Sequence, residues 1–204
     1  MIDIIFVRHG QTQWNQEGRV QGYAPTSISE TGSVQIKNLI KIIELLRPNI
    51  IFSSPIIRAL ESAEILSKAL SLKIVSLPEL TEFNVGEWYG KTVEELNLTS
   101  KSWVDFHNDP TTASPPKGEE ILDFQKRVVM GIKFIIDSGK KCNIVVTHAE
   151  VIRVAICYFI GLPIRQLTSI RIDTGSLSII KIHKDRSQLT TLNYRNINNE
   201  LFNF

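Results

Sequence analysis

The chain has 204 residues, 43% hydrophobic and 22% charged, with a formal net charge of +2. That length predicts one domain spanning 1–204 with a sizeable core. The balance is that of a soluble globular protein and argues against broad nucleic-acid binding, for which no basic stripe or aromatic pattern is present. The longest apolar stretch, Val154 to Leu162, is far below the roughly 20 residues that span a bilayer, so no membrane association is expected. The segment Met1 to Val7 lacks the basic start of a signal peptide, and Cys142 and Cys157 form neither a CxxC pair nor a metal-ligand spacing. A cytoplasmic location and two buried thiols are the resulting expectations.

In chain order, Ile2 to Val7 reads as a buried strand. Ser29 to Leu46 reads as an amphipathic helix, with Ile36, Leu39, Ile40, Ile43 and Leu46 at helical spacing, Ser29 as its N-cap and Pro48 beyond its end. Asn49 to Ser53 is a second strand, followed by a helix opened by Pro55 and running to about Ala69. Lys73 to Ser76 is a third strand, and Asn84 to Gly90 is irregular and aromatic. The proline-rich stretch Asp109 to Gly118 is expected to be the most mobile loop. Glu119 to Asp137 is a long helix, Asn143 to Thr147 a wholly apolar strand, and Ala149 to Ile160 a helix closed by Gly161. Ser169 to Asp173, Ser176 to His183 and Gln188 to Tyr194 read as closing strands. The tail from Asn196 to Phe204 is expected to dock on the body or fray. Apolar runs alternating with helical patterns predict an α/β fold, a sheet flanked by helices.

The residues that stand out follow the strands. Val7-Arg8-His9-Gly10 ends the first, Arg58 opens the helix after the second, and His148 follows the apolar strand at 143–147. Ligands of open α/β sheets bind at the carboxyl ends of the strands, so these groups are placed to converge. Two guanidiniums and two imidazoles would match a phosphate dianion. A histidine so placed can act as a nucleophile toward phosphorus, and the glycine beside it would let the backbone turn toward an anion. Taken singly, each has a blander reading: a structural His9, an Arg58 paired with Glu61 on the surface, a capping His148, a solvated Glu82.

As an ordered set the motifs are specific. They run Arg8-His9-Gly10-Gln11-Thr12-Gln13-Trp14-Asn15, Gln21-Gly22, Ser29-Glu30-Thr31-Gly32, Ser53-Ser54-Pro55-Ile56-Ile57-Arg58-Ala59, Pro78-Glu79-Leu80-Thr81-Glu82, Gly86-Glu87-Trp88, Gly118-Glu119 and Val145-Val146-Thr147-His148. From Ile2 to about Ile182 the chain resembles the histidine phosphatase superfamily, with its phosphoglycerate mutase-like fold. The resemblance implies a three-layer αβα sandwich around a mostly parallel central sheet. It implies that His9 attacks phosphorus to give a phosphohistidine. Arg8, Arg58 and His148 would hold the phosphoryl oxygens. Glu82 would protonate the leaving alkoxide, then activate the water that cleaves phosphohistidine. Asn15, Gln21, Gly22 and Ala149 are the further phosphate- or substrate-binding positions it implies. No metal and no cofactor is expected. The departures are Ala149-Glu150, where the family usually has glycine after the histidine, and Ala24-Pro25-Thr26-Ser27.

Phosphoglycerate mutases with these motifs are usually longer, with lid segments over the site, so the shorter chain favours water as acceptor and hence a phosphatase. The run Gly22-Tyr23-Ala24-Pro25-Thr26, the segment from Leu80-Thr81-Glu82 to Gly86-Glu87-Trp88, and Ile172-Asp173-Thr174-Gly175-Ser176 resemble α-ribazole phosphatases of cobalamin synthesis. A broad-specificity or phosphoserine phosphatase would read almost the same. A mutase, or a protein that binds phosphorylated ligands without turnover, remains an alternative. Tyr23, Phe83, Trp88, Trp103 and Phe106 either form a ring-binding wall above the phosphate or pack as ordinary core. The expected partner is a small phosphorylated metabolite. The resemblance admits a homodimer, although no self-complementary edge is legible.

Overall fold

A computed structural model describes residues 1–196. The expectation for the tail therefore lies, beyond Asn196, outside the described residues. A six-stranded sheet is built from β1 (Ile2–Arg8), β2 (Ile50–Ser53), β3 (Ile74–Ser76), β4 (Cys142–Thr147), β5 (Leu177–Ile182) and β6 (Ser187–Tyr194), in the order β3-β2-β4-β1-β5-β6. The first four strands in that order are mutually parallel, while β5 and β6 run antiparallel at the far edge. The sheet is thus mixed, with a parallel majority.

Helices cover both faces, and the two-residue period of the strands decides which side chain meets which layer. Ile5 and Val7 of β1 pack with Ile51, Ile144 and Val146 against α2 (Glu30–Leu45) and α3 (Ile57–Leu70). Ile4 and Phe6 face the other way, with Phe52 and Val145, onto α6 (Ile121–Asp137) and α7 (Ala149–Ile160). Because both faces are covered, β1 and β4 are apolar through their centres rather than alternating. Ser29 caps α2 by accepting the Gly32 N–H at 3.1 Å, as its position predicts.

Three short helices complete the set: α1 (Gln13–Gln16), α4 (Val93–Thr99) and α5 (Lys101–Asn108). The pattern of apolar residues missed all three. The cap of α4 was nonetheless legible, since Thr92 accepts the Glu95 N–H at 3.1 Å in a T-x-x-E stretch. The strand expected at Ser169–Asp173 does not form. A 3-10 helix covers Ile164–Ser169, and the residues after it lend their carbonyls to side chains rather than to a ladder. Arg153 Nε donates to the Ile170 carbonyl at 2.7 Å and Arg8 Nη1 to the Ile172 carbonyl at 2.6 Å, while the Asp173 N–H donates to Asn193 Oδ1 at 2.6 Å. The loop Asp109–Gly118 lacks regular structure, as its prolines predict, but it is anchored. Pro116 accepts the Glu87 N–H at 2.9 Å, and Lys117 pairs with Glu87 at 2.7 Å.

Two glycines set the height of the first turn after β1. A Cβ on Gly10 would stand 2.4 Å from the Gly32 carbonyl oxygen, and one on Gly32 would stand 2.3 Å from the Gln11 oxygen. The glycine after His9 is thus required by contact with the start of α2 rather than by an unusual turn. Gly32→Ala must push backbone from backbone. It is expected to cost about 1–3 kcal/mol, read by urea unfolding, and to lower activity by displacing His9.

Candidate active site

The four parallel strands all end at one side of the sheet, and each is followed by a site residue. Arg8 and His9 close β1, Arg58 lies in the first turn of α3 after β2, Glu82 follows β3 through a 3-10 turn, and His148 follows β4. A cavity of about 510 Å³ opens over these ends, lined by Arg8, His9, Arg58 and Glu82 together with Asn15, Gln21, Gly22 and Ala149. His148 stands behind this lining, fully buried, its ring centroid 5.2 Å from that of His9.

The tautomer of His9 follows from its partners. Its Nδ1 meets the Gly10 carbonyl at 2.8 Å, and a carbonyl only accepts, so Nδ1 carries the proton. Arg58 Nε donates to His9 Nε2 at 3.2 Å, and a guanidinium only donates, so Nε2 presents its lone pair. Burial, then the neighbouring Arg58 and Arg8 charges, hold the His9 pKa well below 6.5, outweighing the Gly10 hydrogen bond. The imidazole is therefore neutral across the physiological range.

Arg58 is no surface residue paired to Glu61. It is 1% exposed, and the carbonyls of Ala24 and Gly22 take its Nη1 and Nη2 at 2.9 and 2.8 Å. Gly22 has φ +46°, a conformation glycine adopts freely, and it serves the site by aiming that carbonyl. Burial lowers the Arg58 pKa to about 10, leaving the group charged at neutral pH. Arg8 is tied through Nη1 to Ile172, whereas its buried Nε has no partner among the described residues. His148 is likewise half satisfied. Its Nε2 meets Ser54 Oγ at 2.8 Å, while the buried Nδ1 has no partner among the described residues. The Ser54 hydroxyl can give its proton to His148 Nε2, and in that tautomer Nδ1–H is a donor. Unsatisfied buried donors are costly unless a ligand completes them.

Glu82 sits among this positive charge, yet its pKa is raised to about 7. Burial is the largest cause and the Glu150 carboxylate the next, and together they outweigh Arg58, the Phe83 N–H bonded at 2.9 Å, and Arg8. Glu150 lines the cavity and is paired with Arg153 at 2.6 Å, so the departure from the family pattern at this position reaches the site. Ala149 occupies the first turn of α7, where an alanine suits the helical backbone, and lines the cavity, so the positive end of that helix dipole lies at the site. Asn15 Oδ1 accepts the Thr12 N–H at 3.0 Å, which leaves its amide nitrogen for a ligand. Gln21 Oε1 is taken by Thr12 and Thr26 hydroxyls at 3.0 and 2.6 Å, so Gln21 braces the wall.

Of the expected aromatic wall, Phe83, Trp88, Trp103 and Phe106 line the cavity and are also buried core. Tyr23 does not line it and is 48% exposed. Val20, Val93, Asn97 and His107, unforeseen in the sequence, complete the outer wall, three of them carried by α4 and α5. Arg127 was also missed as a support of the site. Glu119, Ser54 and Thr147 lie in the quoted motifs, but the long-range contacts by which they support the site leave no local pattern. Among the described residues no group of three or more His, Cys, Asp or Glu stands where it could share a metal ion. No helix there is long and apolar enough to cross a membrane.

Comparison with known proteins gives the family and the fold. The family model described as the histidine phosphatase superfamily (branch 1) matches residues 4–195. The adenosylcobalamin/alpha-ribazole phosphatase of Escherichia coli is 30% identical over 94% of this chain and 95% of its own. Phosphoserine phosphatase 1 of Hydrogenobacter thermophilus is 27% identical over 95% and 92%. The crystal structure of the alpha-ribazole phosphatase from Shigella flexneri superposes with a TM-score of 0.85 at 28% identity, covering 98% of this chain and 100% of that one.

Proposed function

We propose that this chain, which belongs to the histidine phosphatase superfamily, is a metal-independent phosphomonoesterase that works through a phosphohistidine. The observation that carries the reading is the geometry of His9: Nδ1 meets the Gly10 carbonyl, and Nε2 presents its lone pair to the Arg58 guanidinium in a cavity that Arg8 also lines. Nε2 attacks phosphorus and the ester P–O bond breaks. An incoming phosphoryl group draws the Arg58 Nε–H off the histidine and onto its own oxygen. Arg8 Nε–H and His148 Nδ1–H, both lacking partners among the described residues, complete the set of donors, and the two guanidiniums offset the negative charge of the phosphoryl oxygens. Glu82, with a pKa of about 7, gives its proton to the leaving alkoxide and takes one from the water that then attacks the phosphohistidine, breaking the P–N bond to free His9 and release phosphate.

The substrate reading is α-ribazole 5′-phosphate. A cavity of about 510 Å³ walled by Phe83, Trp88 and Phe106 has room for a fused aromatic ring beyond the phosphate. Both the Escherichia coli and the Shigella flexneri relatives carry that substrate in their names. The test is phosphate release, with EDTA present, from α-ribazole 5′-phosphate, phosphoserine, 3-phosphoglycerate and p-nitrophenyl phosphate. Preference for the first is the expected result. Even, weak turnover of all four would remove the ribazole assignment and keep the phosphatase, whereas no release would return the mutase or binding reading.

A further inference from the structure

We propose that Arg127 and Glu119 form a positioning device for the general acid, an inference that rests on the reading of Glu82 as that acid. The segment carrying Glu82 belongs to no ladder: after β3 it makes a 3-10 turn at Pro78–Leu80 and then runs irregularly. Four successive carbonyls of this segment are nevertheless each held by a side chain. Arg127 Nη1 donates to the Glu79 and Thr81 carbonyls at 3.1 and 2.9 Å, and Nη2 to that of Glu82 at 3.3 Å. Thr147 Oγ1, one residue before His148, donates to the Leu80 carbonyl at 2.7 Å.

The guanidinium is itself aimed by a fork. Arg127 Nε and Nη2 donate to the two oxygens of Glu119 at 3.0 and 2.8 Å, and the same carboxylate accepts the Asn84 N–H at 3.3 Å. The pair therefore grips the chain on both sides of Glu82. It is largely shielded from solvent, where paired geometry counts for more than on the surface. Neither Arg127 nor Glu119 lines the cavity. The Arg127 charge also bears on His148, but the fork acts on the general acid through where it holds the Glu82 backbone, and so its carboxyl relative to the leaving oxygen. A planar fork spanning three carbonyls is a task that lysine cannot copy.

The test exploits the leaving group. p-Nitrophenolate departs with little need of a proton, while the alkoxide of benzyl phosphate, similar in size, requires one. For Arg127→Lys, Arg127→Met and Glu119→Gln, kcat/KM on benzyl phosphate is expected to fall about 100-fold, with p-nitrophenyl phosphate changed by less than about threefold. Glu82→Gln, run alongside, should show the same divergence. Equal losses on both substrates, or none, in the Arg127 and Glu119 variants while Glu82→Gln still separates them would overturn the positioning role. No separation in Glu82→Gln would overturn the acid assignment and this proposal with it. Arg127→Lys keeps the cation and Glu119→Gln keeps an acceptor for the guanidinium, so the comparison stands even if Arg127→Met does not fold.

Discussion

His9→Ala is expected to lower phosphate release by about 10⁴-fold or more, the scale seen when a covalent nucleophile is removed. The donors around the phosphate would survive, because Arg58 is held by the Gly22 and Ala24 carbonyls and Arg8 by that of Ile172. Substrate binding should therefore persist while turnover is lost, which separates an enzyme from a binding module. The covalent step can be read directly. Wild-type protein mixed with substrate and quenched in alkali should carry one phosphoryl group on histidine, detectable by phosphorus NMR. Retention of that label in His9→Ala would move the nucleophile elsewhere.

The second large effect is expected from Glu82. General acid–base catalysis contributes about 10²–10⁴-fold, so Glu82→Gln should reduce kcat/KM by that range on an alkyl phosphate. The pH dependence follows from the two perturbed groups. His9 must be deprotonated to attack, and its pKa lies well below 6.5, so the acid limb falls well under that value. Glu82 must be protonated to assist departure, and its pKa stands at about 7. Activity should thus decline as pH rises through about 7, and Glu82→Gln should abolish that decline along with most of the rate. Glu150→Gln removes a charge that helps hold the Glu82 proton, so the alkaline limb should move to lower pH. A limb unchanged in Glu82→Gln would mean that another group titrates there.

The amino-acid sequence determined the succession of the six sheet strands and the four long helices, and the positions of the catalytic candidates. Apolar periodicity is a local property: Ile4 and Phe6 against Ile5 and Val7 already sort the two faces of β1, and Ile36, Leu39 and Ile43 already mark the inner face of α2. Residues at the ends of parallel strands then converge by topology alone, which is why Arg8, His9, Arg58 and His148 are legible as one group in the linear chain, while Glu82 joined them through the family motif. Tertiary structure decided what holds them. The strand expected at Ser169–Asp173 was lost because Arg153 and Arg8 claim the Ile170 and Ile172 carbonyls. The grip of Arg127 on residues 79–82 joins positions more than forty residues apart. The outer wall of the cavity came from two short helices, α4 and α5, whose apolar residues are too few to set a period. Side-chain hydrogen bonds to distant carbonyls obey no spacing along the chain. They become visible only once the sheet has brought their partners to within about 3 Å of each other.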